Sequence, residues 1–494
     1  MALWISQVLD YTRARSPMNS ALARAPAWQL AAGIRDRQFS SLDVVDAHFR
    51  LIHQLEPKLH AFVSLDEDRA RQQAKRSDEA IASRQPLGPL HGVPITIKSS
   101  IDVAGLLCET GTRLRQGNIA TSDAPLVSRL KSAGAIVLGN TAVPEFLMVW
   151  ETRSALYGTT NSPWDLERTP GGSSGGEAAA IAACCSAGGI GSDGGGSIRV
   201  PAHFSGICGL KPTPGRIPAT GHFPSSVGPF SLIGVVGPMA RTVRDLETMF
   251  DIIAGPDNGD PNSAPVPLRK PDKASLRRLR IGYFEDDGRV PVTKETRAAV
   301  QKAAQALRDD GFTVEPFLPE GLDEALRLWH VLFVDCVSVL LRQAYKGRES
   351  DMYSIVREVL DFSAKSPPLT MDALMNTLFG RDVLRSRFLD QMNHYPILLC
   401  PVASGPAFRH GERSWEIEGS TVEYPNAFCY SQWFNLLGNP AAVVPMGSSV
   451  EGLPIGVQIV GRPWEEEQVL GVAARIEQAG GWSEPPILKG ESNE

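Results

Sequence analysis

Thr169-Pro170-Gly171-Gly172-Ser173-Ser174-Gly175-Gly176-Glu177 and Gly194-Gly195-Gly196-Ser197-Ile198-Arg199 bracket a run of small residues from Ala178 to Gly191. Glycine suits backbone that must take φ > 0 or let a ligand come close. Successive N–H groups in such a bend form a concave anion site. A serine at the end of the bend, Ser197, is well placed to be a nucleophile whose oxyanion the preceding amides hold. Ser173 sits in the first cluster, and Lys98 ends the segment His91-Gly92-Val93-Pro94-Ile95-Thr96-Ile97-Lys98. Lys98, Ser173 and Ser197 are the candidate catalytic set.

Other readings of these residues exist. A Gly/Ser run can be a flexible linker, but here periodic segments flank it and a second glycine cluster ends in serine. Gly171 to Gly175 also satisfies G-x-S-x-G, which would make Ser173 the nucleophile of a serine–histidine hydrolase. His203, His222, His330, His394 and His410 offer bases for that scheme, none in a recognisable context. Ser128-Arg129-Leu130-Lys131 mimics S-x-x-K without a following K-T-G and reads as a helix face. Lys98 follows an apolar strand, and a desolvated lysine loses its proton closer to neutral pH.

Further segments carry a resemblance. Gly92-Val93-Pro94-Ile95 leading to Lys98, Asn161-Ser162-Pro163-Trp164-Asp165, Cys208 to Thr213, Gly237 to Arg241 and Leu453 to Gln458 occur in order along the chain. With the two glycine clusters, they make the chain resemble the amidase signature hydrolases from about Ala27 to about Ala479. The resemblance implies an α/β fold whose large mixed central β-sheet is covered by helices on both faces. It implies a Ser–cis-Ser–Lys triad, with Lys98 as base, Ser173 as the bridging serine in a cis peptide, and Ser197 as nucleophile. It implies oxyanion donors in the N–H groups of Gly194, Gly195, Gly196 and Ser197, an orienting role for Ser174, and no cofactor or metal. The reaction implied is hydrolysis of a carboxylic amide through an acyl-enzyme, with esters, anilides and carbamates open as further substrates. The family usually carries a larger residue at the position of Gly194, and the departure loosens that loop or opens space.

Two alternatives accompany this reading. One is the glutaminase-type subunit of a tRNA-dependent amidotransferase, although Phe230 to Pro238 looks more like the stand-alone amidases. The other is a non-catalytic amidase-like binding protein, which would usually have lost one of Lys98, Ser173 and Ser197. Asp193 and Arg199 are expected to fix the loop by hydrogen bonds and an ion pair.

With 43% apolar and 21% charged residues in 494, a packed core is expected rather than disorder. The net charge of −6 argues against a nucleic-acid partner. Seven scattered cysteines without metal-ligand spacing fit a reducing, cytoplasmic setting. No apolar run reaches the roughly 18 residues of a membrane span. The partner that the resemblance implies is a small-molecule amide, with a homodimer left open. The expected organisation is an extension over 1–26, an amidase signature domain over 27–479 with a mainly helical lobe at about 290–395, and a tail over 480–494. Residues 3–15 read as a helix that docks, frays or touches a membrane surface. Ser40-Ser41 caps a helix that Pro57 ends, Pro94–Ile97 is a buried strand delivering Lys98, and Glu177 to Ala187 is a helix of small residues. Asp257 to Lys273 reads as a linker. The apolar run Trp329 to Leu341 is either simply buried or lines a substrate pocket.

Overall fold

The computed structural model describes residues 21–365 and 367–489, so the expected helix over 3–15 lies outside the described residues. Eleven strands form one sheet: β1 (Phe62–Leu65), β2 (Pro94–Lys98), β3 (Ile136–Thr141), β4 (Gly188–Asp193), β5 (Cys208–Lys211), β6 (Val235–Ala240), β7 (Arg280–Tyr283), β8 (Thr313–Pro316), β9 (Ile397–Pro401), β10 (Ala441–Ser448) and β11 (Pro454–Gly461). Across the sheet they run β1-β3-β2-β4-β6-β5-β10-β11-β9-β7-β8. The segments β3-β2-β4 and β9-β7-β8 are parallel and the pairs between them antiparallel, which is the expected mixed sheet.

Both faces are buried, and period-two alternation sorts the side chains between them. Ala442, Val444, Ile397 and Leu399 join one core, while Ala441, Val443, Leu398 and Cys400 join the other. On the first face pack the helices Ser41–Leu59, Val243–Ile253, Lys294–Asp309 and Glu466–Glu477. On the second pack Gly175–Ala182, Arg199–Ser205, Leu322–His330 and Cys429–Leu436. The stretch from Leu322 to Gln391 is mostly helical, whereas Lys294–Asp309 lies on the sheet and β8 forms its edge.

Some local expectations shift. Ser40 caps its helix through a bond from Asp43 N–H, but the helix runs past Pro57 to Leu59 and ends at His60, whose φ is 51°. A proline in the last turn forfeits one N–H bond, and buried Leu55 and Leu59 still anchor that turn to the core. The small-residue helix spans Gly175–Ala182 and stops five residues before Ala187, because Cys184 turns left-handed at φ 59°. The glycines that follow are strand β4. Asp257 to Lys273 crosses the surface without a regular element until the helix Lys273–Arg277 begins.

Candidate active site

Strands β2 and β4 are parallel neighbours, with Thr96 beside Gly189 and Ile97 beside Ile190. Their C-terminal ends therefore open at the same edge, so Lys98 at the end of β2 faces Ser192 and Asp193 at the end of β4. The turn Thr169–Ser174 comes in beside them, held by Ser174 N–H donating to Ser197 O at 3.1 Å. The Gly172–Ser173 peptide is cis. This topology brings together the three residues that the sequence separates.

Lys98 has no solvent exposure. Its Nζ donates to Ser173 Oγ at 2.7 Å, Ser174 Oγ at 2.8 Å and Ser192 Oγ at 3.0 Å. Burial pushes the ammonium well below the usual lysine value, while the carboxyls of Asp193 and Glu177 act the other way. Glu177 is itself buried among Thr96 and Thr141 hydroxyls, and burial lifts its carboxyl to about 7. Ser197 Oγ has no hydrogen bond among the described residues, and Ser173 and Ser197 line the same cavity. The sequence reading missed Ser192, because a serine in a glycine-rich strand carries no signal of its own.

The loop 193–197 rests on a buried ion pair. Arg199 meets Asp193 at 3.0 Å with both side chains at 0% exposure, and also donates to Ser431 O and Gln458 Oε1. That partner, with Gly196 N–H at 2.7 Å and Ile198 N–H at 3.0 Å, holds the Asp193 carboxylate below the usual range despite its burial. The pair takes the structural place expected of it. Gly196 N–H, expected among the oxyanion donors, is already given to Asp193 Oδ1. The carbonyls of the loop are also taken: Asn435 Nδ2 donates to Asp193 O at 3.1 Å, Trp329 Nε1 to Gly194 O at 2.8 Å, Trp150 Nε1 to Gly195 O at 2.8 Å and Val200 N to Gly196 O at 2.7 Å.

The glycine at 194 has a steric cause. A Cβ there would lie 2.9 Å from the Phe333 ring, and one at Gly195 would lie 2.5 Å from Trp329. Trp329 and Phe333 stack at 4.7 Å and 12°. The apolar run over 329–341 is divided between its two expected roles. It forms the end of the helix Leu322–His330, a wide π turn over Val331–Asp335 and the helix Cys336–Ala344. Leu332 and Leu341 are buried, Phe333 and Val337 line the cavity, and Val339 and Leu340 are half exposed.

The cavity offers about 50 Å³, room for a few water molecules. Its walls are mainly apolar, with Phe146, Leu147, Met148, Phe230, Phe333 and Val337 among them, and among the described residues they include no lysine or arginine. His222 also lines it. Its Nδ1 lies 2.8 Å from Pro224 O, and burial lowers it to about 4. Of the other histidines considered, His203 is buried between Gly405 O and Gly456 N–H. Among the described residues no cluster of side chains could hold a metal ion, and no helix is long and apolar enough to cross a membrane.

The Amidase family pattern matches residues 43–470. An acylamidase of Rhodococcus erythropolis is 33% identical over 472 residues, covering 93% of this chain and 96% of the other. A glutamyl-tRNA(Gln) amidotransferase subunit of Symbiobacterium thermophilum is also 33% identical, over 466 residues, covering 88% and 93%. The solved structure of a bacterial aryl acylamidase of the amidase signature enzymes superposes with a TM-score of 0.81 at 25% identity, covering 92% and 96%.

Proposed function

The chain belongs to the amidase signature family, hydrolases of C–N bonds, and on that premise we propose that it hydrolyses small amides with an apolar acyl or aryl group through a Ser197 acyl-enzyme. Lys98, as the neutral amine, takes a proton from Ser173 Oγ, and Ser173 in turn takes one from Ser197 Oγ, which rotates onto it as substrate enters. Ser197 Oγ bonds to the carbonyl carbon and the carbonyl oxygen becomes an oxyanion facing the amides of Gly194, Gly195 and Ser197. The C–N bond then breaks, the amine leaves with the proton returned along the same chain, and water cleaves the ester in the same way. The observation carrying this reading is the unexposed Lys98, bonded to three serine hydroxyls behind a cavity that Ser173 and Ser197 share.

The apolar walls support the substrate class. Free glutamine, the substrate of a glutaminase-type subunit, brings an α-carboxylate, and the lining among the described residues offers it no guanidinium or ammonium. The relatives named as amidotransferase subunits keep that second reading in play. The test is turnover by the purified chain of short-chain anilides, phenylacetamide-type amides and L-glutamine, with Ser197→Ala as blank. Faster ammonia release from glutamine than from any apolar amide would reverse the assignment.

A further inference from the structure

Each planar trans peptide sets its N–H opposite its C=O. Whatever holds a carbonyl in the loop 193–197 therefore also aims the amide that follows. By this rule Asn435 aims the Gly194 N–H, Trp329 the Gly195 N–H, Trp150 the Gly196 N–H and Val200 the Ser197 N–H. The Gly196 N–H is turned to Asp193, which leaves three amides without a partner among the described residues. The Gly195 amide is the one whose anchor stands in the helical stretch beyond the sheet, at the end of the helix Leu322–His330.

The fit is close. The missing Cβ of Gly195 lets the Trp329 indole come near enough for the 2.8 Å bond, and Phe333 stacks on that indole. Trp150 meets the same indole at 6.1 Å, so two aromatic neighbours and the bond to Gly194 O hold the ring that carries this N–H. A wide π turn begins at Val331, two residues after Trp329, a deviation that often marks a functional site.

We propose that Trp329 is a positioning residue: through Gly194 O it holds the Gly195 N–H toward the oxyanion that forms at Ser197. The proposal rests on the reading of Ser197 as nucleophile and of these amides as its oxyanion donors.

Trp329→Phe keeps an aromatic ring under Phe333 and deletes the N–H. The readouts are kcat and KM for an apolar amide, the second-order rate of Ser197 labelling by a fluorophosphonate, and the melting temperature. Loss of one aimed donor lowers kcat and the labelling rate together by about 10- to 100-fold, with KM within about twofold and melting nearly unchanged. Labelling and kcat within about twofold of wild type would overturn the proposal. So would a loss that appears only as raised KM or lowered melting. Should Trp329→Phe misfold, benzothienylalanine at 329 keeps the ring shape without the N–H and gives the same readouts. Absence of Ser197 labelling in the wild-type protein would instead sink the nucleophile assignment, so the two failures are told apart.

Discussion

Ser174 Oγ accepts from Lys98 Nζ at 2.8 Å and gives its own proton to Ser192 O at 3.2 Å. It can therefore only receive from the lysine. The lone pair of a neutral Lys98 is left to Ser173 or Ser192, and only Ser173 of these two lies in the turn that Ser174 ties to Ser197. On the proposed relay, Ser174 filters the direction of proton flow. Ser174→Ala should lower kcat by about 10- to 100-fold while Ser197 remains the labelled residue, measured by turnover and adduct mapping.

Proton uptake by Lys98 gives a second expectation, in both rate and stability. On the proposed mechanism the active form is the neutral amine, so kcat/KM should rise with pH through the Lys98 pKa and then level. The unfolded lysine keeps its proton up to about 10.5, whereas the folded one releases it at lower pH. Between those values the unfolded state holds more protons, so this group's contribution to stability rises with pH. Lys98→Met should be inactive, and its unfolding free energy minus that of wild type should decline as pH moves from neutral toward 10.5. A difference that is flat with pH in denaturant titrations would contradict the buried-lysine account.

His222 is the histidine that lines the cavity, and it is held neutral. His222→Gln should leave the acylation rate within about tenfold of wild type, against the 10²–10⁴-fold or so expected on losing a general base. Rapid-mixing measurement of acyl-enzyme formation decides, and a larger loss in a folded variant would restore the serine–histidine scheme.

Removing Arg199 strands a carboxylate in the interior. Arg199→Met should destabilise the protein by about 3–5 kcal/mol, read from denaturant midpoints. Replacing both partners, as Asp193→Asn with Arg199→Met, should recover part of that loss.

Gly194→Ala brings a methyl within 2.9 Å of the Phe333 ring. Overpacking of this kind costs about 1–3 kcal/mol. Phe333→Leu should restore stability in the double variant and shift preference toward bulkier acyl groups, measured as the ratio of kcat/KM values.

Much of this site could be read from the chain itself. The strand that ends in Lys98, the turn bearing Ser173 and the bend ending in Ser197 are each local patterns. The Asp193–Arg199 pair also lies within one short loop along the chain. What escaped was long-range. Trp150 and Trp329 find the carbonyls of Gly195 and Gly194 across 45 and 135 positions, with nothing local to announce it. The commitment of Gly196 N–H to a carboxylate was equally hidden, because residue type does not say which way an amide points. The helix ends at Ala182 and Leu59 were set by a left-handed residue and by core contacts, which composition does not encode.

Phe333 forms part of the cavity wall and is also stacked on Trp329. A lineage drifting toward a new amide will find position 333 an attractive place to remodel the cavity. Every such change also alters the support beneath the indole that fixes the loop. On the proposed reading, diet and turnover are thus inherited together, and descendants that widen the cavity should carry compensating changes at Trp150, which also meets the Trp329 ring.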